Sequence, residues 1–334
     1  MPKIVYTDSL GFLAPAGQPP IFDPANPPQV SLMHLTSVPP IPVMYDFDTA
    51  LAAHKKFREQ ALSNPGVYEV LTAADLDKPG LGLVFGMQHA PNGLTLDRVQ
   101  QLFDAGVRVM ALAYADVGEY GSGYKAEGGL TKRGKKLLRW VAQVGMILDL
   151  SHANEQTAAD ALHKIEAIAA MDYLFGSGDL QLPAVMASHS GCYAIHSHPR
   201  NVSDEIIRRI YTQGGYIGIP AMNFVVGPDG IPGMAQHIEH VNQMYDDMSF
   251  HVGIGSDCPH LNMPLDEAQR QYDKLAALLG AAKPDEVTFP DRPLEFIKYG
   301  SALFPILREV VPLLPDHIFG ATFWSFLSRS LPQT

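Results

Sequence analysis

The stretch that decides the fold consists of two apolar runs that each lead to a histidine. They are Gly-Met-Ile-Leu-Asp-Leu-Ser-His at residues 145–152 and Val-Met-Ala-Ser-His-Ser-Gly at residues 185–191. Helical sequence lies between them, and apolar runs separated by helices are typical of parallel strands in an α/β sheet. The carboxyl ends of the strands surround the active site of an eight-stranded α/β barrel. We therefore expect His152 and His189 to face one pocket, where two imidazoles form a candidate metal site.

Further apolar segments continue this alternation along the whole chain. The predicted strands are residues 4–8, 30–35, 81–85, 107–113, 146–150, 184–188, 216–219 and 252–255. Eight strands alternating with helices is the count of a closed barrel. The sequence therefore predicts an α/β fold, a (β/α)8 TIM-like barrel with extra C-terminal helices. We expect one domain over residues 1–334, with an irregular proline-rich part at 1–45 and a C-terminal helical extension at 284–334.

The segments between the strands carry helical periodicity and end signals. Helices are predicted at residues 46–62, 96–105, 131–144, 155–170, 203–213, 234–248, 266–279, 294–311 and 319–331. Ser203 is a preferred N-cap residue, and the glycine pair after residue 213 ends that helix. The glycine-rich residues 118–129 are expected to form a loop over the mouth of the barrel.

Composition excludes several classes of protein. A net charge of −11 over 334 residues argues against non-specific binding of nucleic acid. No run of eighteen apolar residues occurs, so no membrane span is expected. The two cysteines do not indicate a disulfide framework, and the first residues lack the apolar core of a signal peptide. The missing disulfide framework and signal peptide favour a cytoplasmic protein, whereas the net charge says little about a small substrate. A homodimer is a further expectation, by analogy with other barrels of this kind.

Several motifs, in order and with rough spacing, resemble one known family. They are Asp-Leu-Ser-His ending at His152, Ser-His-Ser around His189, and His-Pro-Arg-Asn-Val-Ser-Asp at residues 198–204. Gly-Val-Arg at 106–108, Gly-Leu-Thr at 129–131 and Gly-Ile-Gly-Ser-Asp at 253–257 flank them. Over about residues 80–258 the chain resembles the renal (membrane) dipeptidase family of zinc peptidases, peptidase M19, a branch of the amidohydrolase-like barrels.

The resemblance implies a metal site that is incomplete in this chain. The family holds two zinc ions with a His-x-Asp motif, a bridging Glu, two histidines and an Asp. His152, His189 and Asp257 match the last three, but Leu10 and Phe12 occupy the His-x-Asp positions. Gln88 stands at the position of the glutamate and Tyr114 at that of a substrate-facing histidine.

A neutral amide cannot offset the charge of two dications, and its oxygen is a poor zinc ligand. We therefore predict no intact binuclear site and at most one zinc ion, held by His152 and His189 with Gln88. Two alternatives stay open. His34 supplies a missing ligand, or the two histidines are hydrogen-bonded in a polar barrel mouth without metal.

The remaining matched residues point to a substrate with a carboxylate. The resemblance implies that Arg200 binds the substrate's terminal carboxylate, since a guanidinium suits bidentate pairing. The alternative is that Arg200 pairs with Asp204 or caps a helix. Asp257 is predicted to act as the general base, and its alternatives are metal binding or a bond to His152 or His189. Tyr114 is a candidate to hydrogen-bond the substrate.

Two functions therefore compete, and a third is weaker. The first is a divergent metallo-dipeptidase-like hydrolase that acts on a dipeptide or small amide through a metal-activated water. The second is a catalytically degenerate family member that binds a small carboxylate ligand without an intact binuclear zinc site. The third is a different reaction in the same pocket, such as metal-free hydrolysis or a lyase step.

Overall fold

The architecture is known from a computed structural model of the chain. The structure describes residues 6–14, 19–25, 27–38, 45–175, 182–244, 251–260, 270, 303–310, 312 and 314–334. The predicted helix at 266–279 lies outside the described residues apart from residue 270, and so do residues 284–302 of the predicted C-terminal extension.

Parallel strands and helices alternate through the described chain, as the sequence predicts. The strands are β1 (Thr7–Phe12), β2 (Leu32–Thr36), β3 (Val67–Glu69), β4 (Leu81–Met87), β5 (Val107–Ala111), β6 (Ile147–Asp149), β7 (Val185–Ala187), β8 (Tyr216–Ile219), β9 (Val252–Ile254) and β10 (Cys258–Pro259). The helices are α1 (Phe47–Leu62), α2 (Leu96–Asp104), α3 (Lys132–Val144), α4 (Glu155–Phe175), α5 (Asp204–Thr212), α6 (Asn223–Val226), α7 (Ile231–Gln243), α8 (Leu303–Val310) and α9 (Ala321–Ser330). Short 3-10 turns occupy Ala73–Asp77 and Asp316–Phe319.

The strands form one parallel sheet that curls round until its ends meet. The order is β10-β1-β2-β4-β5-β6-β7-β8-β9, and β3 pairs with β4 outside this path. Three residues separate β9 from β10, which pairs with β1, so the end of β9 leads directly back to the first strand. The hydroxyl of Ser9 donates to the carbonyl oxygens of Ser188 and Ile254, across the same junction. The (β/α)8-type fold predicted from the sequence is confirmed.

The interior of the barrel changes from apolar to polar along the strand direction. A lower set of buried side chains comes from six strands and packs as one cluster: Leu32, Val84, Val109, Ile147, Met186 and Tyr216. Two residues further along, where side chains return to the same face, stand His34, Gly86, Ala111, Asp149, Ser188 and Gly218. The small residues leave room for the imidazole, carboxylate and hydroxyl beside them. At Gly86, a Cβ would collide with the His34 ring. The polar layer therefore lies directly under the mouth.

The C-terminal helix closes the opposite, amino-terminal end of the barrel. Phe323, Phe326 and Leu327 of α9 are buried in the same cluster as the lower strand residues, and the Phe323 ring lies 5.1 Å from that of Tyr216. The hydroxyl of Thr7 donates to the carbonyl of Gly320 just before the helix. The predicted C-terminal helix is therefore part of the barrel's core and not a peripheral addition.

Three differences from the sequence prediction concern boundaries and short elements. The predicted first strand spans residues 4–8, of which 4 and 5 lie outside the described residues. The observed strand β1 continues beyond it to Phe12, because Leu10 and Leu13 are buried and carry the apolar pattern forward. Two-residue β10 and three-residue β3 were missed, since neither has enough residues to show a period.

None of the helices in the described residues combines the length and the apolar character that a membrane span requires.

Candidate active site at the mouth of the barrel

The two histidines of the fold-deciding stretch meet at the carboxyl ends of β6 and β7. Nε2 of His152 lies 2.9 Å from Nε2 of His189, and both residues are buried. His152 has a φ of 69°, a left-handed conformation that few non-glycine residues adopt. Such a conformation persists only where its surroundings enforce it, and it is common at functional sites. The expectation that both rings share one pocket is confirmed, whereas their role as metal ligands stays a prediction.

A carboxylate and a hydroxyl hold His189 from below. Asp149, at the end of β6, accepts the backbone N–H groups of Ser151 and Ser188 on Oδ1 at 2.9 and 3.0 Å. Its Oδ2 accepts the hydroxyl of Ser188 at 2.6 Å, and that hydroxyl lies 2.6 Å from Nδ1 of His189. The network orients the imidazole and also joins the ends of two neighbouring strands.

Burial keeps both imidazoles neutral at physiological pH. Loss of solvent, and then the positive charge of Arg200, lower the pKa of His152 and of His189 well below the usual value. Neutral imidazoles have a free lone pair, so each ring can bind a metal ion or accept a hydrogen bond.

Arg200 is a buried cation beside the histidine pair. Its Nη2 donates to the carbonyl oxygen of His189 at 3.1 Å and lies 3.4 Å from Nε2 of His152, while Nη1 has no hydrogen-bond partner among the residues that the structure describes. Within the described residues no carboxylate forms an ion pair with Arg200. Asp204, the partner considered from the sequence, instead contacts His240 and Arg208. The pairing of Arg200 with Asp204 is therefore wrong. The buried guanidinium faces the mouth and keeps a donor, Nη1, that no described residue accepts.

Two tyrosines flank these groups. The ring of Tyr114, which follows β5, stacks on the ring of His152 with centroids 3.9 Å apart. Tyr124 places its ring 5.8 Å from the guanidinium carbon of Arg200, within the range of a cation–π contact. The loop that carries Tyr124 is anchored, because Asn154 donates to the carbonyls of Ala126 and Gly128. Sequence reasoning predicted the loop but missed Tyr124, whose only signal was an aromatic residue between glycines.

Asp257 lies between β9 and β10 on the closing side of the barrel. Its φ is 56°, and its backbone N–H donates to the carbonyl of Leu10 at 2.8 Å. Burial raises the pKa of its carboxyl group to about 7, although Arg200 opposes this shift, and Asp8 adds to it. Its carboxylate makes no hydrogen bond to His152 or His189 among the described residues, so that alternative is not supported. A carboxyl group with this pKa is suited to accept a proton near neutral pH.

Gln88 and His34 occupy different levels of the pocket. The side-chain Nε2 of Gln88 lies 3.5 Å from Nε2 of His189, a long contact at the same level as the histidine pair. Nδ1 of His34 bonds the carbonyl of Ser9 at 2.7 Å, which leaves Nε2 as a buried acceptor without a partner. His34 therefore lies in the layer beneath the pair, beside Gly86.

The donor set does not fit the pair of zinc ions that the resemblance implies. No group of three or more His, Cys, Asp or Glu side chains in the described part of the chain is arranged to hold a metal ion. Leu10 and Phe12 offer no ligand atom, and Gln88 brings no charge. The mouth provides two converging imidazole nitrogens and a neutral amide, which is short of even a single closed zinc site.

Three further histidines of the described chain have structural roles. His237 is fully buried, and its Nδ1 accepts the backbone N–H of Cys192 at 2.7 Å. Nε2 of His240 contacts Asp204, and Nε2 of His260 contacts Asp8 at 2.8 Å in a fully buried pair. The two cysteines are both free and buried, as expected.

Comparisons with solved structures support the fold. An amidohydrolase from Pseudomonas aeruginosa superimposes with a TM-score of 0.69 at 20% identity, covering 98% of this chain and 96% of that one. A metallo peptidase from Rhodobacter sphaeroides, liganded with a phosphinate mimic of the dipeptide L-Ala-D-Ala, gives 0.67 at 16% identity and covers 98% and 99%. Identities this low show a shared fold only.

Sequence comparisons are more specific. A dipeptidase of Claviceps purpurea, tcpJ, is 27% identical over 230 residues, which are 63% of this chain and 50% of that protein. An uncharacterized dipeptidase of Schizosaccharomyces pombe is 26% identical over 175 residues, 49% of this chain and 38% of the relative. The matched part thus spans half or less of these curated relatives. The model of the membrane dipeptidase family, Peptidase family M19, matches residues 44–286. That model covers more than two thirds of this chain, and the site motifs lie inside the matched residues. The chain therefore belongs to the membrane dipeptidase family, M19.

Proposed function

We propose that this chain binds a dipeptide, or another small amide with a free carboxylate, at the barrel mouth without the family's pair of zinc ions. The observation that carries the proposal is Arg200. A buried cation without a carboxylate partner is costly, and removing that cost requires an anion. Nη1 has no partner in the described chain, so at least one donor is available to a ligand carboxylate. The neighbouring tyrosine rings supply apolar walls, as small-molecule pockets usually have.

The chain retains groups that suit ligand binding and has lost groups that a two-metal reaction needs. It retains the carboxylate-binding arginine of the dipeptidases, and Tyr114 covers the His152 ring where the resemblance places a histidine. It has lost the residues that would bring negative charge to two metal ions. Binding of the ligand is thus supported by present groups, whereas the two-metal reaction lacks its ligands.

Hydrolysis of the bound amide is the second candidate, and Asp257 favours it. A carboxyl group with a pKa near 7 accepts a proton from an attacking water more readily than an ordinary aspartate does. Water would add to the amide carbon, the proton would pass to Asp257, and the amine would leave after protonation. A single zinc ion at His152, His189 and Gln88 stays a prediction, and no step here depends on it.

One experiment tests binding by chemical class. Thermal unfolding of the purified chain is followed with L-Ala-D-Ala, with L-Ala-L-Ala, and with the same dipeptides carrying a C-terminal carboxamide. A ligand that binds only the folded state raises the melting temperature with its concentration. We expect stabilisation by the free dipeptides and none by the carboxamides. Equal stabilisation by both forms, or by neither, would overturn the proposal.

Metal content and turnover separate the two candidates. Elemental analysis is combined with a dipeptide-hydrolysis assay with and without added zinc, on the wild type and on Asp257→Asn. Binding without turnover supports the ligand-binding function. Turnover that disappears in Asp257→Asn while the thermal shift remains supports hydrolysis. Two zinc ions per chain would contradict the interpretation of Leu10, Phe12 and Gln88.

A further inference from the structure

A chain of four polar side chains runs from the barrel interior to its mouth. It leads from Oδ2 of Asp149 to the hydroxyl of Ser188 at 2.6 Å, and from there to Nδ1 of His189 at 2.6 Å. It continues from Nε2 of His189 to Nε2 of His152 at 2.9 Å. Asp149, Ser188 and His189 are essentially inaccessible to solvent, so water does not compete for these bonds. Neither Asp149 nor Ser188 has a role in the function proposed above.

The hydrogen-bond donors along this chain follow from the carboxylate. Oδ1 of Asp149 accepts two backbone N–H groups, and an ionised carboxylate can only accept, so the single proton of the Ser188 hydroxyl points to Oδ2. The Ser188 oxygen then has only lone pairs for its other neighbours. Nδ1 of His189 must therefore carry a hydrogen. The hydroxyl of Ser151, 3.3 Å away, is free to donate into the remaining lone pair.

The same logic fixes what His189 presents to the mouth. A neutral imidazole with its hydrogen on Nδ1 has a bare lone pair on Nε2. The contacts around Nε2 agree, because the side-chain Nε2 of Gln88, a donor, lies 3.5 Å away. A glutamate in that place would face the lone pair with a second acceptor. Without a cation between the rings, His152 fills the 2.9 Å contact by donating from Nε2.

His152 is thereby the last member of this series of hydrogen-bonded side chains. If its hydrogen is on Nε2, its Nδ1 is an acceptor, and Nδ1 has no partner within the described part of the chain. The competing contact, from Arg200 to Nε2 of His152, is 3.4 Å, longer than the bond from Arg200 to the carbonyl of His189. The shorter contact between the rings decides the assignment.

We propose that Asp149 and Ser188 are positioning residues that fix the tautomer of His189 and, through it, that of His152. Their effect is to make Nε2 of His189 an acceptor, which is the state needed to receive a hydrogen bond from His152 or to bind a cation. The inference concerns the unliganded protein and does not depend on the ligand proposed above.

A purely structural role for Asp149 is separable from this one. Its Oδ1 bonds to Ser151 and Ser188 join the ends of β6 and β7, and Asp149→Asn keeps an oxygen in that place. The new side-chain NH2, however, donates to the Ser188 oxygen, so the hydroxyl hydrogen must turn toward Nδ1 of His189. Donors and acceptors exchange roles along the whole series of hydrogen bonds, and His189 takes its hydrogen on Nε2. A structural role predicts no such change.

The test is nuclear magnetic resonance of protein labelled with heavy nitrogen in its histidine rings, recorded near pH 8 in the presence of a chelator. His189 is assigned through His189→Gln. We expect the wild type to show His189 with hydrogen on Nδ1, Asp149→Asn to show it on Nε2, and Ser188→Ala to show exchange between the two forms. Ser190→Ala is the matched control, since that hydroxyl makes just one long contact among the described residues, to Ser151 at 3.4 Å, and it should leave the wild-type signal unchanged.

Two results would overturn the inference. One is a wild-type His189 with its hydrogen on Nε2, which needs no variant and so stands even where Asp149→Asn fails to fold. The other is a folded Asp149→Asn protein whose His189 signal is that of the wild type. Neither result bears on the thermal-shift comparison of dipeptides and carboxamides, so the two proposals succeed or fail separately.

Discussion

The guanidinium of Arg200 and the backbone of His189 are joined by a single hydrogen bond of 3.1 Å from Nη2 to the carbonyl oxygen. The bond orients the planar group while Nη1 stays without a partner. A lysine would preserve the charge but could not donate to the carbonyl and to a ligand in the same fork geometry.

We therefore expect Arg200→Lys to weaken binding of a free dipeptide by about 10- to 100-fold, or about 1.4–2.8 kcal/mol. Isothermal titration calorimetry measures the affinity directly. Arg139→Lys, an exposed change on α3, is the matched control and should bind as the wild type does. If Arg200→Lys also binds like the wild type, the carboxylate does not sit at this arginine.

Gln88 allows a test of the incomplete metal site by restoring a charge. Gln88→Glu places a carboxylate near the histidine pair, where it can offset part of a zinc ion's charge. We expect the affinity for zinc, measured by competition with a chromogenic chelator, to rise about tenfold or more, since carboxylate oxygens are better zinc ligands than amides. Gln100→Glu adds the same charge on an exposed face of α2 and should change nothing. An unchanged zinc affinity in Gln88→Glu would show that the pair is not a metal site.

The sequence predicted the barrel and the meeting of His152 with His189 because both follow from periodic apolar runs. A parallel sheet brings strand ends together whatever the loops do, so residues at strand ends can be placed from the sequence alone. The expected positions of Gln88 and Asp257 came from the resemblance to the family. The family motifs then supplied expected roles that spacing alone does not give.

The interactions that the sequence did not reveal are those set by side-chain direction. That Asp149 bonds the hydroxyl of Ser188, and that Tyr114 lies flat on His152, depend on rotamers and on which face each residue takes. The contact of His260 with Asp8 joins residues that are 252 positions apart in the sequence, and no local pattern encodes it. Two-residue β10 is too short to show a period, and its pairing with β1 is a tertiary contact that the local sequence does not encode.

His237 makes stability depend on pH. Burial lowers its pKa to about 4, while an unfolded histidine titrates near 6.5. Between these pH values the unfolded chain binds a proton at this histidine and the folded chain does not. The contribution of His237 to the free energy of unfolding is therefore fully present above about pH 6.5 and is lost as the pH drops toward 4. The contribution is on the order of 1–3 kcal/mol.

His237→Asn keeps an acceptor near the backbone N–H of Cys192 but does not titrate. Denaturant unfolding at several pH values should give a less stable variant at pH 8 with a shallower loss between pH 6.5 and 4. His163→Asn, an exposed change on α4, should keep the wild-type slope. An unchanged slope in His237→Asn would assign the acid sensitivity to other groups.

Phe326 tests the closure of the barrel by α9. The side chain is fully buried against the lower strand layer, with its ring 5.7 Å from that of Tyr216. Phe326→Ala should lower the free energy of unfolding by about 3–5 kcal/mol, the usual cost of removing a buried aromatic ring. Denaturant titration measures this, with Ala321→Ser at the exposed start of the same helix as control. A loss below about 1 kcal/mol would mean that the barrel is stable without this packing.

The bond from the Thr7 hydroxyl to the Gly320 carbonyl spans 313 positions in the chain. Contacts this distant are formed only after a very long loop has closed, and that search slows folding. One edge of the first strand must therefore stay unpaired until β10, at residues 258–259, has been synthesised. An open strand edge of this kind can pair with other chains, so the nascent protein is exposed to aggregation during that interval.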